Sequence, residues 1–276
     1  MKKIISAAVV SAFALGMSAF ACAGTLPIEQ VNNSLNIGFN ENLLNYQEHL
    51  PSPSDTESGW MPGFTVGYSY MGNLLGVNNL YLSARNKYNS GSINYKGALQ
   101  TYNGPIPYDT TDKATTETFG FRFGKGFELA SNQMITPYVG IGYYHWNRHL
   151  EGIGGYIEDY HNWYTSVGVK YQYALSNHVV LNTADSFGVV YGGGLRIHDL
   201  PGISGTFHTR GFGSTARERI SVGADYLFSH NLYGFANISY THFNYTGAPV
   251  DGIPGAYEPF SSTNRFGIGV GVGYSF

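Results

Sequence analysis

The chain has 276 residues and a formal net charge of −3, and only 12% of it is charged, against 37 Gly, 23 Tyr and 17 Phe. Ordinary soluble domains carry roughly 25% charged residues, and nucleic-acid binders need a basic face, so the composition points away from both. Mean hydropathy is −0.15, and no segment beyond the N-terminus has the roughly 20 apolar residues of a spanning helix, which excludes a helical membrane protein.

The chain begins Met1-Lys2-Lys3, runs apolar from Ile4 to Phe20 with Ser6, Ser11 and Gly16 as interruptions, and continues Ala21-Cys22-Ala23-Gly24. A basic start, a short apolar core and a small-residue ending form a secretory signal peptide, expected over residues 1–23 with cleavage after Ala23. Cleavage removes Cys22, the only cysteine, so the mature part, residues 24–276, has no disulfide framework. Loss of Lys2 and Lys3 takes the formal charge from −3 to −5. Lipidation of Cys22 is the alternative fate, and Phe20 just before Ala21 fits it poorly.

The mature chain shows period-2 alternation again and again, the signature of strands whose successive side chains point to opposite faces. Weaker segments span 33–47, 60–70 and 78–88. From Thr115 to Leu129, Phe119, Phe121, Phe123 and Phe127 share one face, opposite Gly120, Arg122, Gly124 and Glu128. Pro137 to Trp146 and Trp163 to Tyr173 alternate in the same way. Residues 179–192 follow, where parity sends Asp185 to the apolar face unless a bulge near Ala184 re-aims it. Glu218 to Phe228 sets Arg219, Ser221, Gly223 and Asp225 against an apolar face, and residues 233–245 carry aromatics on both. The last segment, Arg265 to Phe276, is the clearest: Phe266, Ile268, Val270, Val272, Tyr274 and Phe276 lie opposite Gly267, Gly269, Gly271, Gly273 and Ser275. A glycine face suits a crowded barrel interior. Ten strands are predicted.

Their connections alternate in length. Short links fall at 73–77, 130–134, 175–178 and 229–232, and long polar ones at 49–59, 89–114, 150–157, 195–216 and 247–260. A soluble meander has no reason to keep every long loop on one rim, whereas transmembrane barrels pair tight periplasmic turns with long external loops and an even strand number. Tyr and Trp gather near strand ends, as at Trp60, Tyr143, Trp146, Trp163 and Tyr274, the depth at which amphipathic rings settle between lipid and water.

Leader, alternating strands and the terminal Tyr274-Ser275-Phe276 together resemble the small outer-membrane β-barrel proteins of Gram-negative bacteria, across essentially the whole mature chain. The resemblance implies an all-β, transmembrane, antiparallel up-and-down barrel in the cell outer membrane, with both termini periplasmic. It also implies that Val270, Val272, Tyr274 and Phe276 form the assembly signal read by the barrel-assembly machinery. Partners are then outer-membrane lipid and lipopolysaccharide, with any extracellular partner unspecified.

By parity the inward charges are Arg85, Lys87, Arg122, Glu128, Lys170, Arg219, Asp225 and Arg265. Isolated buried charges are costly, so they are expected to pair in a network that plugs the lumen; interiors near eight strands are filled by side chains and water-filled channels appear at about 16. The loop from 195 to 219 is basic, and Arg196, Arg210 and Arg217 are candidates for lipopolysaccharide phosphates, which suit guanidinium groups. His145 and His149 on an extended strand stand about 13 Å apart at roughly 3.3 Å per residue, too far for one ion, so neither a metal nor a cofactor is expected. Asp159 and His161 invite comparison with the omptin proteases, another ten-stranded group, yet parity puts both on the lipid-side face. The expected role is structural or surface-interacting through the long loops, and not enzymatic. The alternatives are a narrow small-solute channel and a rim enzyme, either an omptin-like protease or a lipid-A-modifying hydrolase.

Overall fold

The computed structural model describes residues 26–50, 54–74, 76–101 and 104–276; the expected leader, residues 1–23, lies outside them. A seven-residue helix, α1 (Leu26–Asn32), comes first. Pro27 suits a first helical turn, where its missing N–H costs nothing, and Ile28 and Val31 fall on one face at a spacing of three. Then follow β1 (Ser34–Glu48), β2 (Thr56–Leu74), β3 (Val77–Thr101), β4 (Gly104–Lys125), β5 (Phe127–Ala130), β6 (Gln133–Leu150), β7 (Ile157–Ala174), β8 (Val179–His198), β9 (Phe207–Thr209), β10 (Thr215–Leu227), β11 (Leu232–Tyr245), β12 (Ala248–Asp251), β13 (Tyr257–Glu258) and β14 (Ser261–Ser275). No helix among the described residues is long and apolar enough to cross a membrane.

Ten strands make the wall, in the order β1, β2, β3, β4, β6, β7, β8, β10, β11, β14, every pair antiparallel, with β5 continuing the line of β4 along β6. The sheet closes where β14 pairs with β1, from Ser34 opposite Ser275 to Glu48 opposite Ser261. Closure removes the unpaired edges that an open sheet would expose. All ten predicted strands are present, and the alternation of short and long connections holds except at one: residues 89–114, expected as a polar loop, continue β3 and β4 as a paired hairpin whose ladder runs from Asn89 opposite Thr116 to Thr101 opposite Gly104.

The outer surface carries an apolar band. Along β14 and the residue after it, the alternate residues Phe266, Ile268, Val270, Val272, Tyr274 and Phe276 are all exposed, and Leu35, Ile37 and Phe39 of β1 and Phe119, Phe121, Phe123 and Phe127 continue the band. Trp60, Tyr143, Trp163, Tyr240 and Phe266 stand along its edge toward the long connections. A continuous exposed apolar belt of this kind fits lipid rather than water. The ladders through Ala184 and Asp185 run without interruption on both sides, so Asp185 faces outward with Phe187 and Val189 and is not re-aimed by a bulge. The double aromatic face of β11 resolves with Tyr233, Phe243 and Tyr245 buried inside and Ile238 and Tyr240 outside.

The glycines of β14 do face a crowded interior. A Cβ at Gly273 would collide with the Tyr233 ring, and one at Gly271 would meet Gly38 Cα at 2.6 Å and the Phe235 ring at 2.6 Å.

Candidate functional site: a lumen closed at both ends

The interior divides into three layers along the barrel axis. At the short-turn end, α1 lies inside the mouth with Ile28 and Val31 buried against Met71, Tyr81, Met134, Ala174, Val180, Leu227 and Tyr233. Its C-terminal end is tied to the wall: Asn32 Nδ2 donates to Gln172 Oε1 at 2.8 Å, Lys170 Nζ donates to Asn32 Oδ1 at 2.7 Å, and the Asn33 side chain both donates to Met71 O and accepts from Met71 N. A backbone piece inside a barrel must have its polar groups satisfied, and at the end of α1 Asn33 Nδ2 donates to Glu29 O at 3.0 Å and Ser34 Oγ to Val31 O at 2.9 Å.

At the long-connection end a second plug forms from Tyr46, Trp146, Tyr160, Phe212, Phe243 and Tyr245. Trp146 is fully buried, stacked on Tyr160 with ring centroids 5.0 Å apart and edge-on to Tyr46 at 5.0 Å. Such pairs contribute about 0.5–1.5 kcal/mol each beyond area burial. The small strands sit over this plug: β9 pairs with the end of β8 and with β12, and β12 pairs with β13.

Buried ionisable groups thread the outer plug, three or more residues beyond the aromatic edge of the belt and so outside the lipid-facing span. The Arg148 guanidinium, 1% exposed, bridges the carboxylates of Glu57 and Glu158. Tyr160 Oη donates to Glu258 Oε1 at 2.7 Å, and Tyr46 Oη reaches both Glu48 and Glu258 at 3.3 Å. Burial pushes the Glu48 carboxyl up to about 8; Arg148 opposes the shift and Asp55 and Glu158 add to it. Burial raises Glu258 in the same direction, reinforced by Glu158 and Glu48. The layer therefore holds several carboxyls for a single guanidinium. Sequence reasoning missed it because Glu57 and Glu258 fall where loops were expected and Glu158 lies between the expected loop 150–157 and the strand expected from Trp163. The inward run Tyr144, Trp146, Arg148 on β6 was the available signal.

Between the plugs lies a cavity of about 170 Å³ lined by Arg85, Lys87, Arg122, Lys170, Arg217, Arg219 and Asp225 with Tyr164, Tyr233 and polar residues. The expected lumen network thus needs three corrections. Glu128 is exposed at the short-turn rim, where Asn79 Nδ2 stands 3.5 Å from its Oε1; parity was carried past the end of the lumen, and Met134 opposite it already belongs to the inner plug. Arg217, expected to reach lipopolysaccharide, is 7% exposed and points inward with its Cζ 4.1 Å from the Tyr164 ring centroid, because β10 starts at Thr215 and its alternation already governs residue 217. The third concerns pairing. Among the described residues no ion pair joins any of these lumen charges. Arg122 stacks on Tyr138, Lys170 on Tyr81 and Arg265 on Tyr144, Arg265 also donating to Thr118 Oγ1 at 3.2 Å, while Asp225 accepts from Asn182 Nδ2 at 2.9 Å.

On the outside, just beyond the belt, Asp159 accepts from Asn147 Nδ2 at 2.8 Å and stands 3.3 Å from both His145 Nε2 and His198 Nε2. Partial burial would raise its pKa, but Asn147, His145 and His198 together hold it below the ordinary carboxylate value. Asp159 and His161 do share the outer face. Arg196 is exposed beside them, opposite Asp159 in the ladder, while Arg210 is spent on Asp251 at 2.6 Å in the connection above. No group of three or more potential metal ligands occurs among the described residues.

No protein-family model matches the chain, and no curated protein matches it by sequence. Solved structures do. The outer-membrane protease OmpT of Escherichia coli is 10% identical, with 93% of this chain and 99% of that one covered and a TM-score of 0.59. The transport unit of the autotransporter AIDA-I of Escherichia coli is 9% identical over 98% of each chain at a TM-score of 0.47. Ail, the attachment invasion locus protein of Yersinia pestis, is 13% identical over 89% of this chain and 99% of that one, at 0.32. The likeness is one of fold. The chain has the closed antiparallel architecture of an outer-membrane β-barrel.

Proposed function

We propose that this chain is an integral outer-membrane barrel that does not conduct along its axis and acts through the surface of its long connections, in a structural or surface-interaction role. The observation that carries this is the double closure of the lumen by α1 at one end and by the layer around Trp146, Tyr160 and Arg148 at the other. The apolar belt and its aromatic edge support the lipid location. Tight turns, α1 and the end of β14 share one rim, which supports a periplasmic side there, with Val270, Val272, Tyr274 and Phe276 exposed for the assembly machinery. On the opposite side Ile106, Ile153, Ile203 and Tyr257 are exposed on otherwise polar connections, which suits contact with another surface. Arg196 stands where lipopolysaccharide phosphates would lie. A planar-bilayer recording of the purified protein should show no reproducible open steps; such steps would favour the narrow channel.

The rim enzyme is a second proposal, supported by the protease fold of OmpT and by Asp159 lying between His145 and His198. Incubation with peptides and with lipid A should then yield a product that Asp159→Ala abolishes.

A further inference from the structure

The central cavity departs from what a side-chain plug requires. Six cationic side chains face it, Arg85, Lys87, Arg122, Lys170, Arg217 and Arg219, and Asp225 is the only carboxylate in its lining. None of the six has an ion-pair partner within 4.0 Å among the described residues, although six ion pairs occur elsewhere. Their hydrogen bonds to protein are few: Lys170 to Asn32, and Arg219 Nη1 to Thr241 Oγ1 at 3.3 Å. Arg85 keeps accessible surface only because it borders the cavity.

The placement is not scattered. Arg85 and Lys87 are alternate inward residues of β3, and Arg217 and Arg219 are alternate inward residues of β10, five strands away round a ten-stranded wall. The two pairs therefore oppose each other across the lumen, with Arg122 of β4 and Lys170 of β7 on the wall between. Like charges enclosed at low dielectric repel strongly, and burying them uncompensated is costly. A chamber that only needed filling would be met by the Ser and Asn residues that line the rest of it. Guanidinium forks converging from several directions match a tetrahedral, multiply charged oxyanion better than a planar monovalent carboxylate. The volume suffices, since a single water needs only about 10–15 Å³ of such space.

We propose that this chamber is a binding site for a phosphate-class dianion, either inorganic phosphate or a small phosphate monoester. The site rests on the sealed lumen proposed above, and the bound anion would supply the counter-charge that the wall lacks.

The test uses the protein purified from membranes and dialysed into phosphate-free chloride. Its thermal unfolding, read as loss of the heat-resistant mobility in SDS, is then followed in sodium phosphate, in glycerol 3-phosphate and in sodium chloride of equal ionic strength. Phosphate should raise the midpoint above chloride, and phosphorus analysis after desalting should find about one phosphate per chain. Arg85→Gln and Arg219→Gln should each weaken phosphate binding about tenfold or more, as loss of a charged hydrogen bond does, while leaving the midpoint in chloride equal or higher because repulsion is relieved. A merely structural role for these arginines would lower the midpoint in both salts. A rise with glycerol 3-phosphate alone identifies an ester as the ligand, and a rise with inorganic phosphate alone identifies the free ion. Equal midpoints in all three salts with no retained phosphorus overturn the proposal, as does an undiminished phosphate effect in both variants. Open steps in a planar bilayer would overturn the sealed lumen alone, and phosphate retained in the same preparation but lost in Arg85→Gln would still support the anion site.

Discussion

The outer plug and the central chamber are built from the same alternating strands, one directly above the other, and they treat charge in opposite ways. In the plug Arg148 is enclosed by Glu57 and Glu158 and by the rings of Tyr46 and Tyr95, at 5.9 and 5.4 Å. In the chamber Arg85 and Lys87 face a void. The difference is one of cross-lumen reach: Trp146, Tyr46, Tyr160 and Tyr245 are long enough to meet in the middle, whereas Gly120, Gly140, Ser166 and Ser221 at the chamber level are not. Charge in the packed layer must be paired internally; charge in the open layer can wait for a ligand.

The largest effect expected from breaking this contrast is in the plug. Arg148→Ala leaves Glu57 and Glu158 buried without their cation and should destabilise the barrel by about 3–5 kcal/mol, read as a lowered midpoint of urea unfolding in detergent; an unchanged midpoint would mean that water reaches this layer. A smaller effect should follow pH. The folded Glu48 titrates at about 8 while its ordinary value is 4.5, so between those values the unfolded chain binds fewer protons than the folded one. Stability from this group is therefore complete at and below about pH 4.5 and declines as pH climbs to about 8, and Glu258 shifts the same way. A series of unfolding midpoints from pH 4 to 9 should fall with rising pH, and Glu48→Gln should flatten the slope. The smallest effect belongs to the exterior: Arg210→Ala breaks a pair with Asp251 whose members are both more than half exposed, and exposed pairs add little, so the midpoint should not move.

Much of the wall was legible because lipid on one side and a narrow lumen on the other force strict alternation on each strand, as at Phe266 to Phe276. The hairpin beyond Asn89 was not legible for the same reason reversed. Past the belt the outer face of β3 and β4 meets water, and the inner face, which buries Ile93, Tyr95, Asp112 and Ala114, mixes apolar with polar residues, so the Ser, Asn, Gly and Pro residues there read as a loop. Glu128 and Arg217 mark the two ways parity misleads at a strand end. One was extended past the lumen, and the other was withheld from a strand that begins earlier than its apolar residues do.

By itself, then, the amino-acid order determined the strand cores, their number, the facing of the strictly alternating stretches and the rim that carries the long connections. These follow from periodicity and connection length, which are local. Only the closed structure decided which inward side chains meet. Whether Arg148 finds Glu57 as well as Glu158, or Arg85 finds no carboxylate, depends on residues far apart in sequence brought to the same height by register. That height separates a packed plug from a cationic chamber, and no single strand records it.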